Sequence, residues 1–186
     1  MYSIDILVEE HAQISKLNAA MKNMCVGILE GASLEEAPFR QFIDTVRNFA
    51  DRHHHQKEEK VLFSVMTDHL GKIATTLIKH GMLVEHDLGR LYVLQTEKAL
   101  DRYVETQQSV DKLDVITNAM AYVDLLSRHI TKENTLVYPY AEKHLSEEDK
   151  HFVDEETKKL EDIAASEHIQ EKYLDIIQTI EKKAQA

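Results

Sequence analysis

The stretch IDILVEEHAQISKLNAAMKNMCVGIL, residues 4–29, decides the fold. Ile4, Leu7, Ile14, Leu17, Met21, Met24 and Ile28 recur at spacings of three, four or their sum, which marks one buried face of an α-helix. His11 continues that stripe. Gly31 suits a C-terminal cap, so a first helix spans about Ser3 to Glu30. The same periodicity governs the rest of the chain. Ser33 and Glu36 have capping-box spacing ahead of Pro38 and open a second helix that runs to about Thr67. A break at Asp68 to Lys72, containing Gly71, leads to a third segment with Leu77, Met82, Val93, Leu94 and Leu100 that fades near Gln107. A fourth runs from about Asp111 to His144 through Val115, Ala119, Tyr122, Leu126, Ile130 and Val137. Pro139 is expected to kink it or end its regular part. Ser146 caps a more charged last segment that turns apolar at Tyr173, Ile176, Ile177 and Ile180 and is expected as one outer helix or a pair.

Five Gly and two Pro in 186 residues leave too few turn-formers for a many-stranded β-fold. The expectation is an all-α protein: an antiparallel up-down-up-down four-helix bundle over residues 1–145, with a helical extension over 146–186 packed on it. A formal net charge of -11 repels phosphate backbones and anionic lipid, which argues against nucleic-acid and membrane partners. The lone Cys25 excludes an internal disulfide. MYSIDILVEEHAQ has acids where a secretory signal carries positive charge, so a soluble cytoplasmic protein is expected.

The unusual component is histidine, with 11 in a chain that lacks tryptophan. A His with a carboxylate four residues later places both on one helical face, about 5–6 Å apart and able to serve one metal. At this composition chance supplies about two such pairs, and the chain has five. His54 with Glu58 lies on a stripe with Val46, Ala50, Val61, Leu62 and Val65, and His129 with Glu133 lies with Tyr122, Leu126 and Val137. Both pairs face inward. His55 with Glu59 shares its face with Asn48, Asp51 and Arg52, and His151 with Glu155 is ringed by charge, so both are expected in solvent. His144 with Glu148 sits at a helix end, where a histidine caps carbonyls. Of the histidines without such an acid, His11 and His86 occupy inward stripes. His80 is about 240° around the helix from His86, which leaves it at most a supporting role.

In an up-down bundle His11, His54, Glu58, His86, His129 and Glu133 fall within roughly 10 Å of one another in height, at about 1.5 Å per residue. Four imidazoles and two carboxylates in one buried layer are costly without a cation. Imidazole and carboxylate without thiolate suit iron, manganese or zinc. Ferritin-like proteins use a Glu-x-x-His motif instead, with a different order and offset. Six convergent ligands also exceed the four of a closed structural zinc site.

The segments HHHQKEEKVLF around His54, HITKENTLVYP around His129, EEHAQI around His11 and VEHDLGR around His86 resemble the hemerythrin-like, HHE cation-binding family over about residues 4–143. The resemblance implies a non-haem, carboxylate-bridged centre of two iron ions, held by those six residues. It implies a small diatomic ligand or peroxide as partner, for binding or sensing, or redox turnover with a redox partner: peroxide decomposition, NO reduction or iron–sulfur repair. Oxygen-carrying members have a His pair on helix three, whereas Met82 and Arg90 flank His86 at that offset, which leads away from reversible oxygen carriage. Members linked to iron–sulfur repair often carry extra N-terminal cysteines, and here Cys25 is the only thiol. Ser64 stands where many relatives have proline. Turnover would need a proton donor near the metal, for which Tyr122, Tyr138, Tyr140, Glu59 and Asp87 are the candidates.

Overall fold

The computed structural model describes residues 1–184, and they contain helices and no strand. Six long helices follow one another: α1 (Tyr2–Leu29), α2 (36–69), α3 (71–106), α4 (109–144), α5 (Glu147–Ser166) and α6 (Ile169–Ala184). The chain leaves α1 through Gly31 at φ +111°, a backbone state that glycine adopts without penalty. Gly71, at φ +70°, makes the bend between α2 and α3 in the same way. Ser146 caps α5, its hydroxyl accepting from the Asp149 amide. Ser33 does not cap α2. The helix starts at Glu36 after Glu35, without a side-chain cap. Proline at position 38 and burial of Leu34, Phe39 and Phe42 fix that start instead.

The long helices are not uniformly α. Wide π-type turns occupy Val46–His55 and Glu58–Leu62 in α2, Ile78–Met82 in α3 and Glu133–Val137 in α4. In α4 the irregularity lies before Pro139 rather than at it. The Tyr138 amide bonds to the Glu133 carbonyl, one residue beyond the α spacing, and proline then sits in the first turn of the resumed helix, where its missing N–H costs nothing.

Two apolar clusters fill the interior. One gathers Ile14, Leu17, Met21, Phe39, Phe42, Phe49, Val93, Tyr122 and Leu126, and the other gathers Leu7, Val61, Leu62, Phe63, Met82, Val137 and Tyr138. All four bundle helices pass from one cluster to the other. The crossing points are Leu7 to Ile14 in α1, Ala50 to Val61 in α2, Met82 to Val93 in α3 and Ile130 to Val137 in α4. Those four intervals contain His11, His54 with Glu58, His86 and Glu133, with His129 at the edge of the last. The polar layer therefore lies between two hydrophobic plugs. Tyr173, Ile177 and Ile180 of α6 join the first plug and Val153 of α5 joins the second, so the C-terminal helices contribute to the same interior.

Candidate metal centre

Within that layer the six residues singled out by pattern meet, all of them at most 2% exposed. Ligating atoms of His11, His54, Glu58 and Glu133 lie within 4.8 Å of one another, as do those of His55, Glu58, His86 and His129. Glu58 belongs to both sets, with Oε2 3.6 Å from His54 Nε2 and 3.6 Å from His86 Nε2. Glu133 also spans them. Its Oε2 is 3.2 Å from His11 Nε2, and its Oε1 is 3.0 Å from His129 Nε2.

His54 Nε2 and Glu58 Oε2 are buried without a hydrogen bond, and the buried Glu133 oxygens meet only the imidazoles of the same layer. Buried polar atoms are rarely left so, and two of them in a layer built only of imidazoles and carboxylates, groups that ligate metals, fit a cation site. Two neighbouring clusters show the contrast. Glu10, His53 and Glu161 close around the ammonium of Lys57, and Asp51 and Glu59 close around the guanidinium of Arg90, 2.7 and 2.6 Å away. Each outer cluster contains the protein's own cation. Among the described residues, no Lys or Arg pairs with Glu58 or Glu133, and the donor set fits a metal ion there.

A sequence profile of the hemerythrin HHE cation-binding domain matches residues 2–141. The chain belongs to that family. Comparison with curated proteins and with solved structures gives no significant match.

The HHE domain of this chain orients its imidazoles by a closed ring of hydrogen bonds. Glu10 of α1 accepts from His54 Nδ1 of α2 at 2.8 Å, and Glu59 of α2 accepts from His86 Nδ1 of α3 at 2.7 Å. Glu85 of α3 accepts from His129 Nδ1 of α4 at 2.8 Å, and Asn134 of α4 accepts from His11 Nδ1 of α1 at 2.8 Å. Each bond fixes a ring and aims its Nε2 at the centre, the arrangement by which metal-binding histidines are usually held. The anchoring acids are held in turn, Glu10 by Lys57, Glu59 by Arg90 and Glu85 by Lys132. In sequence every anchor adjoins a residue that faces the centre: Glu10 beside His11, Glu59 beside Glu58, Glu85 beside His86 and Asn134 beside Glu133. The adjacency was visible in the EEH, VEH and KEN segments. Which helix each anchor serves was not.

His55 overturns an expectation. It is buried rather than solvated, its ring stacked on His86 at 3.7 Å between centroids and 7° between planes, with Nδ1 donating to Asp51 at 3.2 Å. The reason is that α2 is covered on both flanks: His53 packs toward Glu10 of α1 and Glu161 of α5, while His55 packs on His86 of α3. His80 is exposed and takes no part, His151 is exposed as expected, and His144 is exposed at the end of α4 with its ring on Tyr140.

The proton-donor candidates divide. Tyr138 donates to Glu58 Oε1 at 2.6 Å, Glu59 anchors His86, and the buried Tyr122 hydroxyl has no partner. Tyr140 packs on His144 instead, and Asp87 is exposed and paired with Arg90.

The electrostatics show the strain of this layer. Burial and the charge of Glu133 push Glu58 well above the usual carboxylate range. Burial acts on Glu133 in the same sense, but His129, His11 and His86 outweigh it and hold Glu133 well below that range. Burial and the charge of His11 bring His54 down to about 4. Burial lowers His129 too, yet Glu133, Glu85 and Glu58 together raise it to about 10. Two carboxylates this close and this buried do not both ionise without added positive charge.

Proposed function

We propose that this chain is a non-haem di-iron protein that binds or senses a small ligand such as O2, NO or peroxide at a carboxylate-bridged centre, with manganese or zinc as other metals the donor set accepts. One observation supports the reading: two adjacent ligand sets, joined by Glu58 and spanned by Glu133, gather four or five imidazoles and two carboxylates in one buried layer, with His54 Nε2 and Glu58 Oε2 left without a hydrogen bond. His11 and His54 would serve one metal, and His86 and His129 the other, joined by His55 as a fifth imidazole. An iron pair would supply open coordination positions and a redox couple. The chain's own part is to fix the imidazoles through Glu10, Glu59, Glu85 and Asn134, to exclude bulk water with the two apolar plugs, and to hold a proton on Tyr138 at Glu58. The proposed setting is the cytoplasm.

A second reading, redox turnover such as peroxide decomposition, NO reduction or iron–sulfur repair, is favoured by the same phenol. Burial and the nearby carboxylates raise the Tyr138 pKa well above its ordinary value, so it remains a neutral donor beside the ligand atoms. This reading requires a redox partner to return electrons.

The deciding experiment is anaerobic loading with ferrous iron, counting iron per chain and recording the visible spectrum before oxygen, after oxygen and after its removal. About two irons with a reversible band supports binding or sensing, by the stoichiometry of the two ligand sets. An irreversible ferric spectrum shifts the weight to turnover, and failure to take up iron overturns the di-iron reading.

A further inference from the structure

Of the three acids that anchor the imidazoles, Glu10 is held differently from the other two. Glu59 and Glu85 pair with Arg90 and Lys132, whose side chains are 38% and 42% exposed and keep water around their charge. Glu10 pairs with Lys57, whose side chain is 1% exposed. An ammonium taken that far out of water needs more than one partner, because a single carboxylate leaves N–H donors and desolvated charge unmet.

The further partners come from α5 and from α2 itself. Glu161 of α5 accepts from Lys57 Nζ, and His53 Nε2 stands 3.0 Å from the same nitrogen. Glu161 is held in turn from α6, where Gln170 Nε2 donates to its second oxygen at 2.6 Å. Both residues lie beyond the span 2–141 that matches the HHE profile. A chain of bonds thus runs from the C-terminal helices to the centre: Glu161 to Lys57, Lys57 to Glu10 Oε1, and Glu10 Oε2 to His54 Nδ1.

The charges give this chain of bonds a direction. Two carboxylates face one ammonium, so Glu10 keeps negative charge to offer the His54 N–H. Without Glu161 the ammonium belongs to Glu10 alone, and Glu10 becomes a weaker acceptor. A weaker acceptor holds the imidazole less firmly and makes its Nε2 less basic.

We propose that Glu161 is a positioning residue for the metal centre, acting through Lys57 and Glu10 on His54, so that the helices beyond the matched domain control the metal held by His11 and His54. The role of His54 as a ligand rests on the di-iron reading, whereas the control of His54 by Glu161 does not.

The test uses the full chain in two measurements. In metal-free protein at neutral pH, a nitrogen–proton NMR correlation reads the His54 Nδ1–H resonance, assigned by its loss in His54→Gln. Glu161→Ala should move it upfield, as a weakened hydrogen bond does, and leave the Nδ1–H resonances of His86 and His129 in place. Titration with ferrous iron against a competing dye should show one equivalent weakened about three- to tenfold and the other unchanged, a smaller loss than the roughly 10- to 100-fold that follows removal of a direct anchor. Glu161→Gln keeps an acceptor for Lys57 without the charge, so it should fall between wild type and alanine in both readouts. It also decides the matter should the alanine variant fail to fold. Val153→Ala, about two turns along α5 from Glu161, is the control for loosened packing and should lower stability without moving either readout. An unmoved His54 resonance overturns the proposal, as does a wild-type iron titration in Glu161→Ala or the same changes in Val153→Ala. A moved resonance in a chain whose wild type binds no iron sinks the di-iron centre and keeps the control of His54. Two irons bound equally well by wild type and Glu161→Ala does the reverse.

Discussion

The Tyr138 hydroxyl of α4 donates to Glu58 Oε1 of α2 at 2.6 Å and leaves Glu58 Oε2 as the oxygen that faces both His54 and His86. One carboxylate oxygen is thus assigned to the protein and the other to the centre. Tyr138→Phe keeps the ring in its apolar plug and removes only that donor. The metal-free variant is expected to lose about 1–3 kcal/mol of stability, the cost of leaving a buried acceptor unmade, read from urea unfolding. Iron content should stay near wild type while the visible band shifts; a variant with unaltered stability and spectrum would show that the phenol does not orient Glu58.

Glu133 reaches His11 with one oxygen and His129 with the other, so its loss should disconnect both ligand sets. Glu133→Ala and Glu58→Ala are each expected to lower bound metal and to remove metal-dependent stabilisation, which amounts to about 2.7 kcal/mol at a free metal concentration of 100 times Kd. The exposed His151 should be replaceable by alanine without effect on either. Metal analysis together with thermal unfolding, with and without added metal, checks all three; loss of metal in the His151 variant alone would place the centre elsewhere.

His55 and His80 form a matched pair of controls, one buried against His86 and one exposed on α3. His55→Ala should weaken the metal held by His86 and His129 and leave the site of His11 and His54 occupied. Titration with ferrous iron should then show one tight and one weakened equivalent, where the His80→Ala variant shows the wild-type curve. Two equal, unweakened equivalents in the His55 variant would remove it from the ligand set.

The difference between those two histidines explains what the sequence could and could not disclose. His11, His54, His86 and His129 were legible as one layer because each interrupts an apolar stripe whose neighbours bury it, and helix lengths place the interruptions at one height. His55 was hidden because stripe arithmetic assigns a helix one buried face, whereas α2 is covered on two flanks, by Glu10 and Glu161 on the His53 side and by His86 on the His55 side. The ring of anchors was half visible. Glu10 and Glu85 stand beside singled-out histidines, but a side chain's partner on another helix depends on bundle rotation, which no one-dimensional pattern encodes. The same holds for Lys57, a lysine buried among acids contributed by α1 and α5.

Glu85 offers the clearest test of that ring, because it touches His129 and Lys132 and lies outside both ligand sets. Glu85→Ala should weaken metal binding about 10- to 100-fold through loss of ring orientation and basicity at His129. Glu85→Gln retains an acceptor for the imidazole and should recover part of that loss. Competition with a metal-binding dye gives the affinities, and equal affinity in wild type and Glu85→Ala would show that His129 is held by its packing alone.

Cys25, the chain's single thiol, is buried in the plug formed with Met21 and Leu17, and burial raises its pKa from 9.0 to about 11. The native state therefore holds the thiol proton more tightly than the unfolded chain does. By linkage, where the native state binds more protons, stability falls as pH rises, here between the unfolded value near 9 and the folded value near 11, and is unaffected by this group below that window. A shift of this size corresponds to about 2–3 kcal/mol lost across the window. Other groups titrate in the same range, so the quantity to measure is the difference between wild type and Cys25→Ala in urea unfolding at pH 8 and at pH 11. The variant should be the less stable at pH 8, because of the space it leaves, and the gap should narrow by pH 11. In native wild type at pH 8 the thiol should also resist iodoacetamide and react only on unfolding, since reaction requires an accessible thiolate. A constant gap, together with rapid native alkylation, would mean that Cys25 is not sealed in the core.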